Sequence, residues 1–226
     1  MTLSDAAITD NRRGRLAAAS TQLGLPLIEA HIDQLLAYLD LLQRWNATYN
    51  LTAVRDPDRM LTQHLVDCLA AITPLRRQLG SDGLPKRLLD VGSGGGLPGI
   101  VIAIVNPSID VTCVDTVGKK AAFIQQVAAS LRLRNLHSQH ARVEQMKTAP
   151  FDVVTSRAFA SLVDFVALTR QHLVAEGFWL AMKGKDPVDE RAALAANVDV
   201  FHVEQLSVPG LDAERCLVWM RPKPSL

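Results

Sequence analysis

The chain has 226 residues, of which 48% are hydrophobic and 21% are charged, and its formal net charge is +1 at pH 7. This composition excludes general disorder, and it excludes a chain that binds nucleic acid through an overall basic charge. The cysteines at positions 68, 113 and 216 are too widely spaced for a disulfide framework or a zinc site, and no apolar run reaches the roughly 18 residues of a membrane helix. We therefore expect a cytoplasmic protein that holds no metal and crosses no membrane.

The first 85 residues are predicted to be mostly helical. Apolar residues recur at steps of four and three from Ile28 to Leu42, which places them on one face of a helix. A further helix is predicted after Asp56 and Pro57, and an earlier one over residues 15–23. We assign residues 1–85 to an N-terminal helical extension that packs on the core.

From Lys86 onward, short β-rich segments alternate with helical segments, a pattern that predicts βαβ units and a mostly parallel sheet. A final pair of strands with only a short turn between them is expected to form an antiparallel hairpin at the sheet edge. The fold class is therefore α/β and Rossmann-like, and it matches the class I methyltransferase sheet better than a dehydrogenase sheet. Residues 86–226 form this core. The predicted parallel strands are 87–91, 110–115, 136–139, 151–156 and 178–182, the hairpin is 198–208 with 215–221, and the helices are 98–105, 118–131, 143–146, 161–172 and 187–196.

A glycine-rich loop joins the first predicted strand to the next helix, in the segment Asp90-Val91-Gly92-Ser93-Gly94-Gly95-Gly96-Leu97-Pro98-Gly99. Glycines let the backbone come close to a ligand, and the helix N-terminus that follows offers unpaired N–H groups. The spacing of Gly94, Gly96 and Gly99 also matches the dinucleotide fingerprint, so an NAD-dependent oxidoreductase is the alternative interpretation. Asp90 favours S-adenosylmethionine, because a carboxylate at the strand end suits a sulfonium cation and repels a pyrophosphate. We expect Asp90, Gly92 and Gly94 to contact this cofactor.

Residues after the next three strands complete the predicted cofactor site. Asp115 ends the second strand, where a carboxylate can accept both ribose hydroxyls or, alternatively, cap the following helix. Val143 and Glu144 are placed to reach an adenine edge, although Glu144 can also be a first-turn acid that the helix dipole favours. Arg157 follows the fourth strand and is expected to hold the cofactor carboxylate or an RNA phosphate.

The residues after the fourth strand also indicate the methyl acceptor. Residues 155–160 lack the Asn/Asp-Pro-Pro-aromatic turn of exocyclic-amine methyltransferases, and no cysteine is placed as the nucleophile that carbon-5 pyrimidine methylation needs. Guanine N7 suits the site better, because its lone pair is free at neutral pH. Catalysis then reduces to positioning, and no catalytic acid or base is predicted.

Several basic residues near the predicted site could contact RNA phosphates or could be ordinary surface residues; the main candidates are Lys119, Lys120 and Lys183. The arginines at positions 12, 13 and 15 are interpreted as a solvated face, with a mobile RNA-contacting arm as the alternative. His64 and Asp67 share a helix face and are expected to hydrogen-bond to each other.

Taken together, these motifs resemble those of the ribosomal RNA small-subunit methyltransferase G family, also called glucose-inhibited division protein B. The resemblance runs from about Leu16 to Met220. It is carried by Arg44-Trp45-Asn46, Tyr49-Asn50-Leu51-Thr52, Val54-Arg55-Asp56-Pro57, His64-Leu65-Val66-Asp67, the glycine-rich loop, Gly118-Lys119-Lys120, Arg142-Val143-Glu144 and Ser156-Arg157-Ala158-Phe159-Ala160.

The resemblance implies N7 methylation of one guanosine in 16S ribosomal RNA, either as free RNA or in the small ribosomal subunit, and we expect a monomer. It implies cofactor contacts at Gly92, Leu97, Val143, Glu144 and Arg157. It also implies that the early helices help to present the RNA through Asn50, Arg55 and His64. A ribosome assembly factor that has kept the fold without catalysis stays open as a third interpretation.

Overall fold

A computed structural model of the chain describes residues 3–80 and 86–223, so the predicted boundary at residue 85 lies outside the described residues. The α-helices are α1 (Leu3–Gln22), α2 (Glu29–Tyr49), α3 (Pro57–Met60), α4 (Asp67–Leu69), α5 (Ile72–Leu79), α6 (Gly99–Val105), α7 (Gly118–Ser130), α8 (Leu162–Thr169) and α9 (Val188–Ala192). The strands are β1 (Lys86–Val91), β2 (Ile109–Asp115), β3 (Leu136–His140), β4 (Phe151–Arg157), β5 (Leu173–Lys183), β6 (Val198–Leu206) and β7 (Arg215–Pro222). A π-helical turn, Leu61–Val66, joins α3 to α4, and 3₁₀ turns cover Val143–Gln145 and Arg170–His172.

In the described part of the chain, seven strands form one sheet in the order β3-β2-β1-β4-β5-β7-β6. β1 to β5 are parallel, whereas β7 runs antiparallel to both β5 and β6. The predicted hairpin is therefore confirmed, with β6 at the edge and β7 inside the sheet. β5 begins earlier than predicted, because an irregular pairing between Phe151 and Val153 of β4 lets β5 start at Leu173.

The central strands are buried on both faces, as is usual when helices cover a parallel sheet. Leu88, Leu89 and Val91 of β1 are at most 1% exposed, and most residues of β2 and β4 are also buried. Asp90 and Thr155 are buried polar side chains near the carboxyl ends of these apolar strands. Polar groups at that edge indicate where the site lies, because ligands of such folds bind beyond the carboxyl ends of the strands.

The apolar face predicted for α2 is confirmed, since Ile32, Leu35, Leu39 and Leu42 are all buried. Ile28 is the exception: it is the N-cap residue of α2, outside the helix, and it is 61% exposed. α2 packs on α6 and α7, and its buried residues belong to the same hydrophobic cluster as residues of β1, β2 and α6. No helix within 3–80 or 86–223 has both the length and the apolar character needed to cross a bilayer.

The arginines near the start of the chain lie on α1, which begins well before the predicted residue 15. Arg12 is buried and pairs with Asp40 of α2 at 2.9 Å, while Arg13 pairs with Glu29 at 2.7 Å. Arg15 is partly exposed and pairs with Asp58 of α3 at 2.5 Å. These ion pairs join α1 to its neighbours. The predicted solvated face is therefore wrong for Arg12, which is buried between the helices.

Candidate cofactor and acceptor site

Two adjoining cavities lie beyond the carboxyl ends of the central strands, and both are lined by Gly92 and Ala158. We call them the Asp115 cavity, of about 370 Å³, and the Arg157 cavity, of about 490 Å³. The Asp115 cavity is lined by Val91, Gly92, Val114, Asp115, Thr116, Val117, Lys120, Ala141, Arg142, Val143, Glu144, Ala158, Phe159 and Leu168. The Arg157 cavity is lined by Leu42, Leu51, Thr52, Gln63, His64, Asp67, Gly92, Ser93, Gly94, Gly95, Leu97, Arg157, Ala158, Met182, Lys183, Gly184 and Arg215. Apart from Asp90, the predicted cofactor residues are therefore divided between two adjoining spaces.

The glycine-rich loop forms the floor where the two cavities meet. The N–H groups of Gly92 and Ser93 donate to the carbonyl of Val114, at 2.9 and 3.2 Å, so the loop lies against the end of β2. Gly92 has a φ of 66°, and a Cβ built on it would lie 2.5 Å from Cδ2 of Phe159. Only glycine combines this positive φ with the absence of a Cβ that would clash with Phe159. The loop backbone is thereby left open to a ligand.

Asp90 supports this loop from below. Its side chain is fully buried, and its Oδ2 accepts the backbone N–H of Gly99 at 2.9 Å. Burial raises the pKa of Asp90 to about 7, although the bond from Gly99 acts in the opposite direction. Asp90 lines neither cavity, which differs from the predicted direct contact with a sulfonium: its carboxylate holds the start of α6 against β1 instead.

Asp115 lies at the predicted position and lines the cavity named after it. Its Oδ2 accepts the N–H of Gly94 at 3.0 Å, and its Oδ1 accepts the N–H of Val117 at 2.9 Å. Lys120, a predicted RNA contact, also lines this cavity, with its Nζ 3.6 Å from Asp115 Oδ2. A carboxylate has about four lone-pair sites, so Asp115 can accept two further hydrogen bonds from a diol.

Val143 and Glu144 also line the Asp115 cavity, and both lie on the 3₁₀ turn after β3. Val143 is buried, and the carbonyl of this residue is bonded to Nε2 of His172 at 2.6 Å. The Glu144 side chain is 38% exposed, with Arg142 Nη1 at 3.8 Å from its carboxylate. An apolar side chain and an exposed carboxylate next to each other suit an adenine ring, whose flat faces are apolar and whose edge is polar.

Arg157 enters its cavity from the end of β4 and is bound to the π-helical turn. Its Nη1 donates to the carbonyl of Gln63 at 2.9 Å and to Asp67 Oδ2 at 3.1 Å. Asp67 Oδ1 accepts from Nε of Arg215, at the start of β7, at 2.8 Å. The predicted hydrogen bond between His64 and Asp67 is wrong, because Asp67 is engaged by two arginines that are distant in sequence.

His64 bonds to Thr52 instead, with 2.9 Å between Nε2 and Oγ1. Burial, together with the charge of Arg157, lowers the pKa of His64 to about 4. The imidazole is therefore neutral at physiological pH, and it offers the Arg157 cavity a polar group without a charge.

The other predicted RNA contacts occupy different positions. Lys183 lines the Arg157 cavity, where its Nζ donates to the carbonyl of Ala160 at 3.1 Å and pairs with Glu190 at 2.9 Å. Asn50 and Arg55 are exposed and bond to each other at 2.8 Å, on either side of the cavity-lining residues Leu51 and Thr52. Lys119 is exposed on α7 and lines neither cavity.

Among the polar residues of the Arg157 cavity, sequence reasoning missed the observed roles of Thr52, Gln63, Asp67 and Arg215. Thr52 and Asp67 lie inside motifs that carry the family resemblance, but their hydrogen-bond partners could not be predicted from those motifs. Gln63 contributes a backbone carbonyl, which carries no side-chain signal. Arg215 lies 148 residues from Asp67, and only the sheet order brings the two together.

The amino-acid sequence is similar to a known protein family over most of its length. The family profile described as rRNA small subunit methyltransferase G matches residues 31–218. A protein of Paracidovorax citrulli with the name Ribosomal RNA small subunit methyltransferase G is 63% identical over 217 residues, covering 92% of this chain and 89% of the relative. A protein of the same name from Leptothrix cholodnii is 62% identical over 211 residues, covering 93% of this chain and 96% of the relative.

Solved structures share the fold at much lower sequence identity. A SAM dependent methyltransferase from Aquifex aeolicus has a TM-score of 0.54 and 15% identity, with 76% of this chain and 96% of that chain covered. TrmN from Thermus thermophilus has a TM-score of 0.56 and 15% identity, with 72% and 53% covered. These similarities concern the sheet and its helices, and they confirm the Rossmann-like class of the fold.

Proposed function

The chain belongs to the rRNA small subunit methyltransferase G family, and from that premise we propose that it transfers the methyl group of S-adenosylmethionine to N7 of one guanosine in 16S rRNA. The observation that carries the proposal is the junction of the two cavities at Gly92 and Ala158. A cofactor and an acceptor that occupy adjoining spaces can meet at one point, which is what a direct methyl transfer requires. Family membership also decides against the NAD-dependent alternative.

The residues of the Asp115 cavity suit the adenosine part of S-adenosylmethionine. Asp115 would accept the ribose hydroxyls, and Val143 with Glu144 would contact the adenine. Gly92, Gly94 and Leu97 would lie along the methionine part, because they line the Arg157 cavity next to the junction. When bound, the cofactor supplies an electrophilic methyl group, and the chain's own contribution is to orient it.

The Arg157 cavity suits the acceptor base. N7 of guanine carries a free lone pair, so the chain needs no general base there. His64 adds no positive charge while it is neutral, and its pKa of about 4 makes it a weak base. The methylated base is a cation, so it should lie away from Arg157, whose Nη1 is engaged by the Gln63 carbonyl and by Asp67. The rate enhancement would then come from orientation and exclusion of water rather than from acid–base chemistry.

We extend the proposal to a monomer that acts in the cytoplasm, where its RNA substrate is made. Cys68, Cys113 and Cys216 are free and buried, as is usual in a reducing compartment. Sedimentation equilibrium of the purified chain tests the oligomeric state, and a mass of twice the chain would contradict it.

A methylation assay tests the proposed reaction. Small ribosomal subunits without the modification, and free 16S rRNA, are incubated with the protein and methyl-labelled S-adenosylmethionine. We expect label in one guanosine as 7-methylguanosine, and the two substrates show whether the RNA or the assembled subunit is recognised. Absence of label in 16S rRNA, while calorimetry shows the cofactor bound, would contradict the proposal.

A glycine variant with a matched control connects the assay to the site. Gly92→Ala places a Cβ 2.5 Å from Cδ2 of Phe159, so the loop must shift. The cofactor Kd should rise by a factor of ten or more, because a loss of about 1.4 kcal/mol in binding free energy already gives tenfold. Gly24→Ala has a similar φ of 62° but no atom within 4 Å of its Cβ. It should lower stability by about 1 kcal/mol and leave the cofactor Kd unchanged. Equal Kd values for both variants would remove the loop from the site.

A further inference from the structure

One buried carboxylate lies between two arginines that come from different strands. Asp67, on α4 of the helical extension, is 1% exposed. Its Oδ2 accepts from Arg157 of β4 at 3.1 Å, and its Oδ1 accepts from Arg215 of β7 at 2.8 Å. The two strands are separated by β5, so Asp67 connects the arginines across the end of the sheet.

The bonds that hold the arginines leave part of each guanidinium available. Arg157 uses Nη1 for Asp67 and for the carbonyl of Gln63, and Arg215 uses Nε for Asp67 and Nη1 for the carbonyl of Glu214. Within the part of the chain that the structure describes, Nη2 of neither arginine has a hydrogen-bond partner. Both arginines line the Arg157 cavity and are 22% and 26% exposed, so these donors can be reached from it.

The charges at this place do not balance. Two guanidiniums share one carboxylate, which leaves one positive charge in excess, while the charge of Lys183 is matched by Glu190. An excess positive charge with donors on a half-closed cavity suits an oxyanion, because bidentate and charge-assisted hydrogen bonds to carboxylate or phosphate are the strong contacts of arginine.

We propose that Asp67 is a positioning residue that holds Arg157 and Arg215 at a fixed separation, so that together they bind one oxyanion of the bound reactants. This inference rests on the proposed function, which supplies two sources for that anion: the carboxylate of S-adenosylmethionine and a phosphodiester of the RNA. The π-helical turn belongs to the arrangement, because it presents the Gln63 carbonyl to Arg157 in the turn just before Asp67.

Substitution of the carboxylate separates positioning from charge. Asp67→Asn keeps the shape of the side chain and raises the net charge of the cavity by one. If Asp67 only offset charge, the variant would bind an anion more tightly. If Asp67 positions the arginines, binding becomes weaker, by roughly tenfold for one disturbed charge-assisted hydrogen bond.

The measurements are the cofactor Kd by calorimetry and the KM for the RNA substrate in the methylation assay. A higher cofactor Kd assigns the anion to the methionine carboxylate, whereas a higher KM for RNA with unchanged cofactor Kd assigns it to a phosphodiester. Either result supports the proposal. Unchanged or tighter binding of both reactants overturns it, provided that the wild-type chain methylates 16S rRNA; if the wild type does not, the proposed function fails first.

Two further variants keep the test decisive. Asp40→Asn removes an ion pair of the same extension, that with Arg12, away from both cavities, and it should leave the cofactor Kd and the KM for RNA unchanged. Arg215→Lys keeps the charge but loses the planar fork that bonds Asp67 and the anion together. It should reproduce the weaker binding of Asp67→Asn, and it decides the matter if Asp67→Asn does not fold. Wild-type binding by Arg215→Lys would also overturn the proposal.

Discussion

At the scale of single residues, two acids at the ends of neighbouring strands have different tasks because their surroundings differ. Asp115 lines a cavity, and two backbone N–H groups stabilise its charge. Asp90 is sealed beneath the loop, and its Oδ1 has no hydrogen-bond partner among the described residues. The acid that the motif places first is therefore the one that supports the loop, and the acid on the next strand is the one a ligand can reach.

The burial of Asp90 predicts a pH dependence of stability. Its pKa is raised from 3.8 to about 7, so between these values the folded chain holds a proton that the unfolded chain has released. The free energy of unfolding from this group therefore falls as the pH rises from about 4 to about 7. Asp90→Asn removes the titration, and the variant should gain roughly 1 to 3 kcal/mol relative to the wild type between pH 5 and pH 8.

Urea unfolding at a series of pH values measures this difference. Asp212→Asn, at an exposed position, is the matched control and should follow the wild type at every pH. A difference between Asp90→Asn and the wild type that stays constant with pH would show that Asp90 does not titrate in this range.

At the scale of elements, α2 supports the glycine-rich loop directly. The hydroxyl of Tyr38, which is fully buried, donates to the carbonyl of Gly95 at 2.7 Å. Leu42, one turn further along α2, packs on the same glycine, since a Cβ at Gly95 would lie 3.1 Å from its Cδ1. The helical extension is therefore part of the site's support, although it lies outside the βαβ core.

Tyr38→Phe tests this support. The variant leaves the carbonyl of Gly95 buried without its donor, which should cost about 1 to 3 kcal/mol of stability and weaken cofactor binding. Tyr49→Phe, on the same helix but 41% exposed, serves as the control and should change neither quantity by more than about 0.5 kcal/mol. Thermal unfolding and cofactor calorimetry provide the two readings, and equal behaviour of the two variants would contradict a role for the Tyr38 hydroxyl.

The elements also show how far sequence reasoning reaches. The parallel strands were predictable because each is a short apolar run before a turn, and the hairpin was predictable because its connection is too short for a crossover. The π-helical turn was not, because Leu61–Val66 has the same apolar pattern as an α-helix. The partners of Asp67 were not predictable either, since they lie 90 and 148 residues away and depend on the sheet order.

At the scale of the whole molecule, the extension and the core share one hydrophobic interior. One buried cluster contains residues of the sheet together with Leu35 and Leu39 of α2, Leu65 of the π-helical turn and Ile100 of α6. The division into residues 1–85 and 86–226 remains our proposal for the architecture. Because the two parts share one hydrophobic interior, we expect them to unfold together.

Differential scanning calorimetry tests this expectation. We expect one transition, with equal calorimetric and van't Hoff enthalpies, because removal of the extension would expose the apolar side of α6. Binding of S-adenosylmethionine should raise the midpoint temperature of this single transition. Two resolved transitions, with only the later one moved by the cofactor, would show that the extension folds independently.

The position of β7 between β5 and β6 has a consequence for synthesis on the ribosome. The strands β1 to β5 can pair as they emerge, but the sheet stays open beside β5, and the second arginine beside Asp67 is missing, until residues beyond 215 have left the exit tunnel. A nascent chain thus acquires its glycine-rich loop while the Arg157 cavity is unfinished. Translation itself would then delay the activity until the whole sheet has closed.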